Sequence, residues 1–136
     1  QVQKAMNMIR KMYTVSEVND QWSFGEATQV HHIFPKSDFI QLAHYLENLI
    51  KLTPTQHYTK AHPSNRTQQI SRDYQLVCLL AKSDSIEQSL RNGQFFYSKE
   101  SFIFVINKGL SENLKFDIDF LTIKRELSRI YNTIQN

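Results

Sequence analysis

A single cysteine, Cys78, is the only thiol in this 136-residue chain. One thiol cannot close an internal disulfide, and without CxxC pairs the chain cannot build a cysteine-rich structural zinc site. Burial in the core is the expected fate of Cys78. No apolar run approaches the roughly 20 residues that a membrane span needs, and the N-terminus lacks a signal-peptide pattern. A soluble, cytoplasmic protein with no membrane partner is expected. Repeats, low-complexity tracts and a convincing linker are also missing. A chain of this length is therefore read as one domain, residues 1–136, long enough for its own core. It begins with Gln1 rather than Met, so it is expected to be a fragment of a larger protein whose other domains, a specificity domain among them, are not included.

What is present is 40% hydrophobic, with nine Phe and six Tyr, which argues for a folded globule and against disorder. Net charge is only +3, but it is unevenly placed. Between Glu47 and Asp73 there is no acid at all, while Lys51, Lys60, Arg66 and Arg72 fall inside that interval. Such a stretch attracts a phosphate backbone, although a solvated basic face would look the same.

Helical spacing of Val2, Ala5, Met6, Ile9, Met12 and Tyr13 predicts an N-terminal helix, and Ser16 to Asp20 offers a further turn. The helical flank is thus placed at 1–20, with a break from Trp22 to Gly25. Thr28 to Phe34 is short, β-branched and aromatic, which favours a strand ending at Pro35. Lys36 to Glu47 is helical or irregular, and Leu49 to Leu52 makes a second strand. Thr53-Pro54-Thr-Gln56 then gives a helix start: a Thr N-cap, Pro at the first helical position and Gln to complete a capping box. His57 is expected one turn into that helix, and Pro63 limits its length. The second helical flank, 67–136, is read as helices over Thr67 to Lys82, Ser85 to Asn92 and Ser98 to Lys108, stopped by Gly93 and Gly109. A last helix carries Phe120, Ile123, Leu127, Ile130, Tyr131 and Ile134. The fold class is α+β, mostly helical around a small hairpin and its following helix.

All five histidines lie between Gln29 and Pro63, four of them in the segments on either side of the linker that carries His44. Histidine supplies both metal ligands and a general base near neutral pH, the two needs of metal-assisted hydrolysis. The pattern His31-His32-Ile-x-Pro35, then Asn48-Leu-Ile-x-Leu52, then Thr53-Pro54 before His57, resembles the HNH (ββα-metal) nuclease motif over residues 28–63. The helical flanks are similar in style to the nuclease domains of HNH-type restriction endonucleases. The resemblance implies that His31 and His57 are metal ligands, that His32 is the base activating water, and that Asn48 ties the loop and orients the base. It also implies a divalent cofactor, Mg²⁺ ahead of Mn²⁺, Ni²⁺ or Zn²⁺, and cleavage to 5′-phosphate and 3′-hydroxyl ends.

One departure concerns the ligand that many relatives place four residues after the helix histidine, where this chain has Ala61. His62 lies about 100° around an ideal helix from that direction and reaches an ion only if the helix unwinds. Adjacent strand residues face opposite ways, so His31 and His32 need a bend into Pro35 to serve one centre. His44 lies outside the motif and is read as an ordinary surface or core histidine. Lys36, Lys51, Tyr58, Lys60 and Arg66 are candidate contacts to nucleic acid. The resulting expectation is a metal-dependent DNA endonuclease of restriction or defence type, with two copies pairing to cut both strands. The alternative is a non-catalytic nucleic-acid-binding domain whose histidines hold a structural zinc.

Overall fold

The computed structural model describes residues 1–58 and 71–134. Among these, the order is α1 (Val2–Met12), β1 (Gln29–His32), β2 (Leu49–Leu52), α2 (Pro54–Gln56), α3 (Arg72–Arg91), α4 (Lys99–Leu110) and α5 (Phe120–Ile134). The two strands form an antiparallel pair in which Gln29 faces Leu52 and His32 faces Leu49. The fold is therefore α+β and mostly helical. No helix among the described residues is long and apolar enough to cross a membrane.

The short sheet survives because it is enclosed. Leu49, Ile50 and Leu52 are all buried, joined by Ile9 of α1, Phe102, Ile103 and Ile106 of α4, and Leu127 and Tyr131 of α5. Fully burying such a side chain contributes about 1.5–3 kcal/mol, so this shared core holds a hairpin that would be marginal alone. Cys78 lies in the same core.

Three expectations are corrected. The segment Ser16–Asp20 is not helical, because its polar groups bind β2 and α2 instead. Glu17 N–H donates to the Lys51 carbonyl at 3.0 Å, and Gln56 Nε2 donates to the Val18 carbonyl at 2.9 Å. Lys36–Glu47, expected to be helical or irregular, is irregular chain with two short 3-10 turns, Ile40–Leu42 and Leu46–Asn48, the second reaching β2.

Ser85–Asn92 is not a separate helix. α3 runs unbroken through Lys82 and Ser83, both buried, to an end at Asn92 with Gly93 in the left-handed region at φ 75°. Polar residues at mid-helix read as a break, but Lys82 is paired inside the core. Its Nζ donates to Glu17 Oε1 at 2.9 Å and to the Tyr97 hydroxyl at 2.8 Å. Residues 67–70 of the expected start lie outside the described residues.

Gly109 does not stop α4. The helix passes through it to Leu110, and the left-handed residue is Ser111 at φ 54°. A side chain at position 109 would collide with the Phe34 ring, so this glycine permits close helix packing.

Candidate functional site

The start of α2 is built as its sequence dictates. Thr53 Oγ1 accepts from Gln56 N–H at 3.1 Å, and Gln56 Oε1 accepts from Thr53 N–H at 2.9 Å. That reciprocal cap, with Pro54 at the first helical position, fixes where the next residue emerges. The next residue is His57, whose N–H donates to the Thr53 carbonyl at 3.0 Å.

His57 meets His31 of β1 across 26 residues of sequence. The rings stack at 4.2 Å between centroids with 28° between planes, and His57 Nδ1 is in contact with His31 Nε2. Imidazole nitrogen is the donor type that borderline divalent ions take. Among the described residues no third His, Cys, Asp or Glu joins them. His62, the further ligand considered from sequence, lies outside the described residues, as do Lys60 and Arg66.

His32 is held differently. Its Nε2 donates to the Ala43 carbonyl at 2.9 Å, which leaves Nδ1 as the lone-pair nitrogen of the neutral ring. Burial holds its pKa below the usual 6.5; the Ala43 carbonyl opposes that shift and the nearby Lys36 charge adds to it. The ring is thus neutral near pH 7 and able to accept a proton.

The expected bend into Pro35 comes too late to turn His32. Strand pairing continues through His32, and Ile33 N–H still donates to the Asn48 carbonyl at 2.8 Å. Alternation along the strand therefore sends His31 and His32 to opposite faces.

Asn48 secures the loop between the strands. Its Oδ1 accepts from Phe34 N–H at 2.8 Å, while Nδ2 donates to the carbonyls of Phe34 at 3.0 Å and Leu42 at 3.2 Å. Leu42 precedes Ala43, so Asn48 fixes the carbonyl that anchors His32. Asn48 is fully enclosed, at 0% exposure, which makes it a positioning residue and not one that meets substrate.

The basic candidates separate. Lys36 is exposed beside His32, and Tyr58 is 73% exposed with its ring edge-on to His57 at 4.6 Å. Lys51 is corrected: it is 3% exposed and points inward. Its Nζ donates to the carbonyls of Arg10 at 2.6 Å and Tyr13 at 2.8 Å, closing the C-terminus of α1. A cation engaged there is not offered to a phosphate. His44 is exposed and tilts against Tyr45, as an ordinary surface histidine does.

Sequence reasoning missed the Ala43 carbonyl, which no side-chain pattern marks, and a cluster of Arg72, Gln75 and Tyr131 next to Ile33. Arg72 registered only as one of several cations in the acid-free interval. No family model, curated protein or solved structure matches the chain.

Proposed function

We propose that this chain is a metal-dependent DNA endonuclease domain, the hydrolytic part of a restriction or defence enzyme. The observation that carries the reading is the convergence of His31 and His57 from strand and helix, with a neutral His32 anchored on the adjoining residue.

In this reading His31 and His57 would hold one divalent ion. When bound, such an ion supplies Lewis-acid stabilisation of the charge that builds on phosphate oxygens. Two neutral imidazoles suit Zn²⁺ or Ni²⁺ better than Mg²⁺, which prefers oxygen donors. Among the described residues β1 pairs with β2 along one edge, and in this reading the phosphodiester lies across the other, between the histidines on the two faces of the strand. His32 Nδ1 takes a proton from water as the water oxygen bonds to phosphorus. The bond from phosphorus to the 3′ oxygen breaks, that oxygen gains a proton from solvent, and a 5′-phosphate remains. Lys36 and Tyr58, both exposed, flank the path of the nucleic-acid backbone.

The test is plasmid cleavage with Mg²⁺, Mn²⁺, Ni²⁺ and Zn²⁺ in turn. Wild type is expected to nick or cut, and His32→Ala to lose about 100- to 10,000-fold in rate while still binding the ion. Intact plasmid with every ion contradicts the reading. A protein that binds DNA, cuts nothing and melts lower on chelation would instead be the structural-zinc alternative.

A further inference from the structure

The first turn of α3 meets the hairpin beside the histidines. Gln75 Nε2 donates to the Ile33 carbonyl at 2.9 Å, one residue beyond His32. The Tyr131 hydroxyl of α5 donates to Gln75 Oε1 at 2.6 Å. Over the Tyr131 ring lies the Arg72 guanidinium, 4.4 Å from the ring centroid. Arg72 and Gln75 are one helical turn apart on the same face of α3, so the three side chains form one cluster against the end of β1.

Two donors in this cluster are unsatisfied. Arg72 Nε and Nη2 are enclosed by protein and have no hydrogen-bond partner among the described residues. Enclosed N–H groups of a permanent cation are costly to leave unpaired, so a partner from outside the chain gains free energy by binding them. The two nitrogens form one side of the planar fork, whose parallel N–H groups match two oxygens of a phosphate. Tyr131 limits the guanidinium's rotation by stacking on it, so the fork is preorganised.

We infer that Arg72 is a phosphate-clamping residue, taking two non-bridging oxygens of the DNA phosphodiester that lies against β1. This rests on the nuclease reading above. A brace between α3 and α5 would need the cation–π contact alone and would leave both enclosed donors without purpose.

Arg72→Met and Arg72→Lys are compared with wild type on a short duplex at saturation, and their melting is followed with and without millimolar inorganic phosphate. The clamp predicts a fall in kcat of about 100- to 1,000-fold for Arg72→Met, with KM and the melting temperature without phosphate close to wild type. Arg72→Lys, which keeps charge but not the fork, recovers only part of the rate. Phosphate raises the melting temperature of wild type but not of Arg72→Met. Wild-type kcat in Arg72→Met, or equal protection of both proteins by phosphate, overturns the inference. If wild type itself cuts nothing with any ion, the nuclease reading has failed, and the phosphate arm alone decides the clamp: protection lost with the guanidinium supports it, and protection unchanged or absent in wild type overturns it. Should Arg72→Met not fold, the Arg72 Nε–H resonance of wild type replaces it: a shift on adding phosphate supports the clamp and an unmoved resonance overturns it.

Discussion

Two groups of polar side chains lie on either side of the hairpin and have opposite fates. On the inner side, Glu17, Lys51, Gln56, Lys82 and Tyr97 are buried and satisfy one another or nearby backbone. Glu17 alone accepts from Lys82 Nζ at 2.9 Å and from the backbone N–H of Lys51 at 2.8 Å. On the outer side, His31, His32, Lys36, Tyr58 and Arg72 are partly or fully exposed. Residue type does not separate the groups, since both contain lysine and tyrosine. What separates them is how fully the rest of the chain encloses the side chain. Inner residues hold the fold together, and outer residues keep contact with solvent.

That contrast is broken most severely at Lys82. Lys82 and Glu17 have side chains at 0% exposure, and burial pulls the Lys82 pKa below its ordinary value while the Glu17 charge opposes that shift. Lys82→Met leaves a buried carboxylate without its cation and is expected to cost about 3–5 kcal/mol. Adding Glu17→Gln removes the stranded charge, keeps an acceptor for Lys51 N–H, and should recover most of the loss. Chemical denaturation measures both. A single variant as stable as wild type would show that the inner network is dispensable.

The tyrosines give the next effect. Burial, reinforced by the Glu17 charge, raises the Tyr13 pKa from 10.0 to about 12. Burial likewise raises Tyr74, Tyr97 and Tyr131 above their ordinary value of 10.0. With folded values above unfolded ones, the stabilisation is complete below pH 10 and is lost as pH rises from there. The loss is about 1.4 kcal/mol per phenol per pH unit until each folded value is reached. With phenolate absorbance and circular dichroism titrated together, the ionisation of these four phenols should coincide with the loss of helicity. Ionisation of these four while helicity persists would contradict their enclosure.

Lys36 and Lys51 sharpen the comparison at smaller scale. Lys51→Ala is expected to lower stability by about 2 kcal/mol, because two carbonyls at the end of α1 lose a charged donor. It should leave the salt dependence of DNA binding unchanged. Lys36→Ala should do the reverse, reducing that salt slope by about 1 at constant stability. The opposite assignment would show that the two sides had been confused.

Local chemistry was legible in the sequence and long-range pairing was not. Thr53, Pro54 and Gln56 act on neighbours a few residues away, so the start of α2 follows from those three positions, and with it the exit of His57. The strands at Gln29–His32 and Leu49–Leu52, α1, the Ser98 cap of α4 and the last helix were legible for the same reason. Lys82 looked like the end of a helix because its partner lies 65 residues earlier. Gly109 looked like a stop because the ring of Phe34, which fills its missing side-chain space, comes from another segment. Lys51 looked like a phosphate contact because strand alternation sets its direction relative to α1, and the sequence does not place α1. At the site, the resemblance implied that His31 and His57 come together, and the rings do meet. The anchoring of His32 on a backbone carbonyl had no counterpart in the sequence.

The central claim is that His31 and His57 share one ion, and calorimetric titration of the folded protein with Zn²⁺ or Ni²⁺ tests it most directly. The account predicts one site per chain in wild type. His31→Ala and His57→Ala should each weaken it at least as much as the roughly 100-fold that losing an outer-shell partner reaches, and His44→Ala should leave it intact. Wild-type affinity in the His31 and His57 variants, or no binding in wild type, would contradict it.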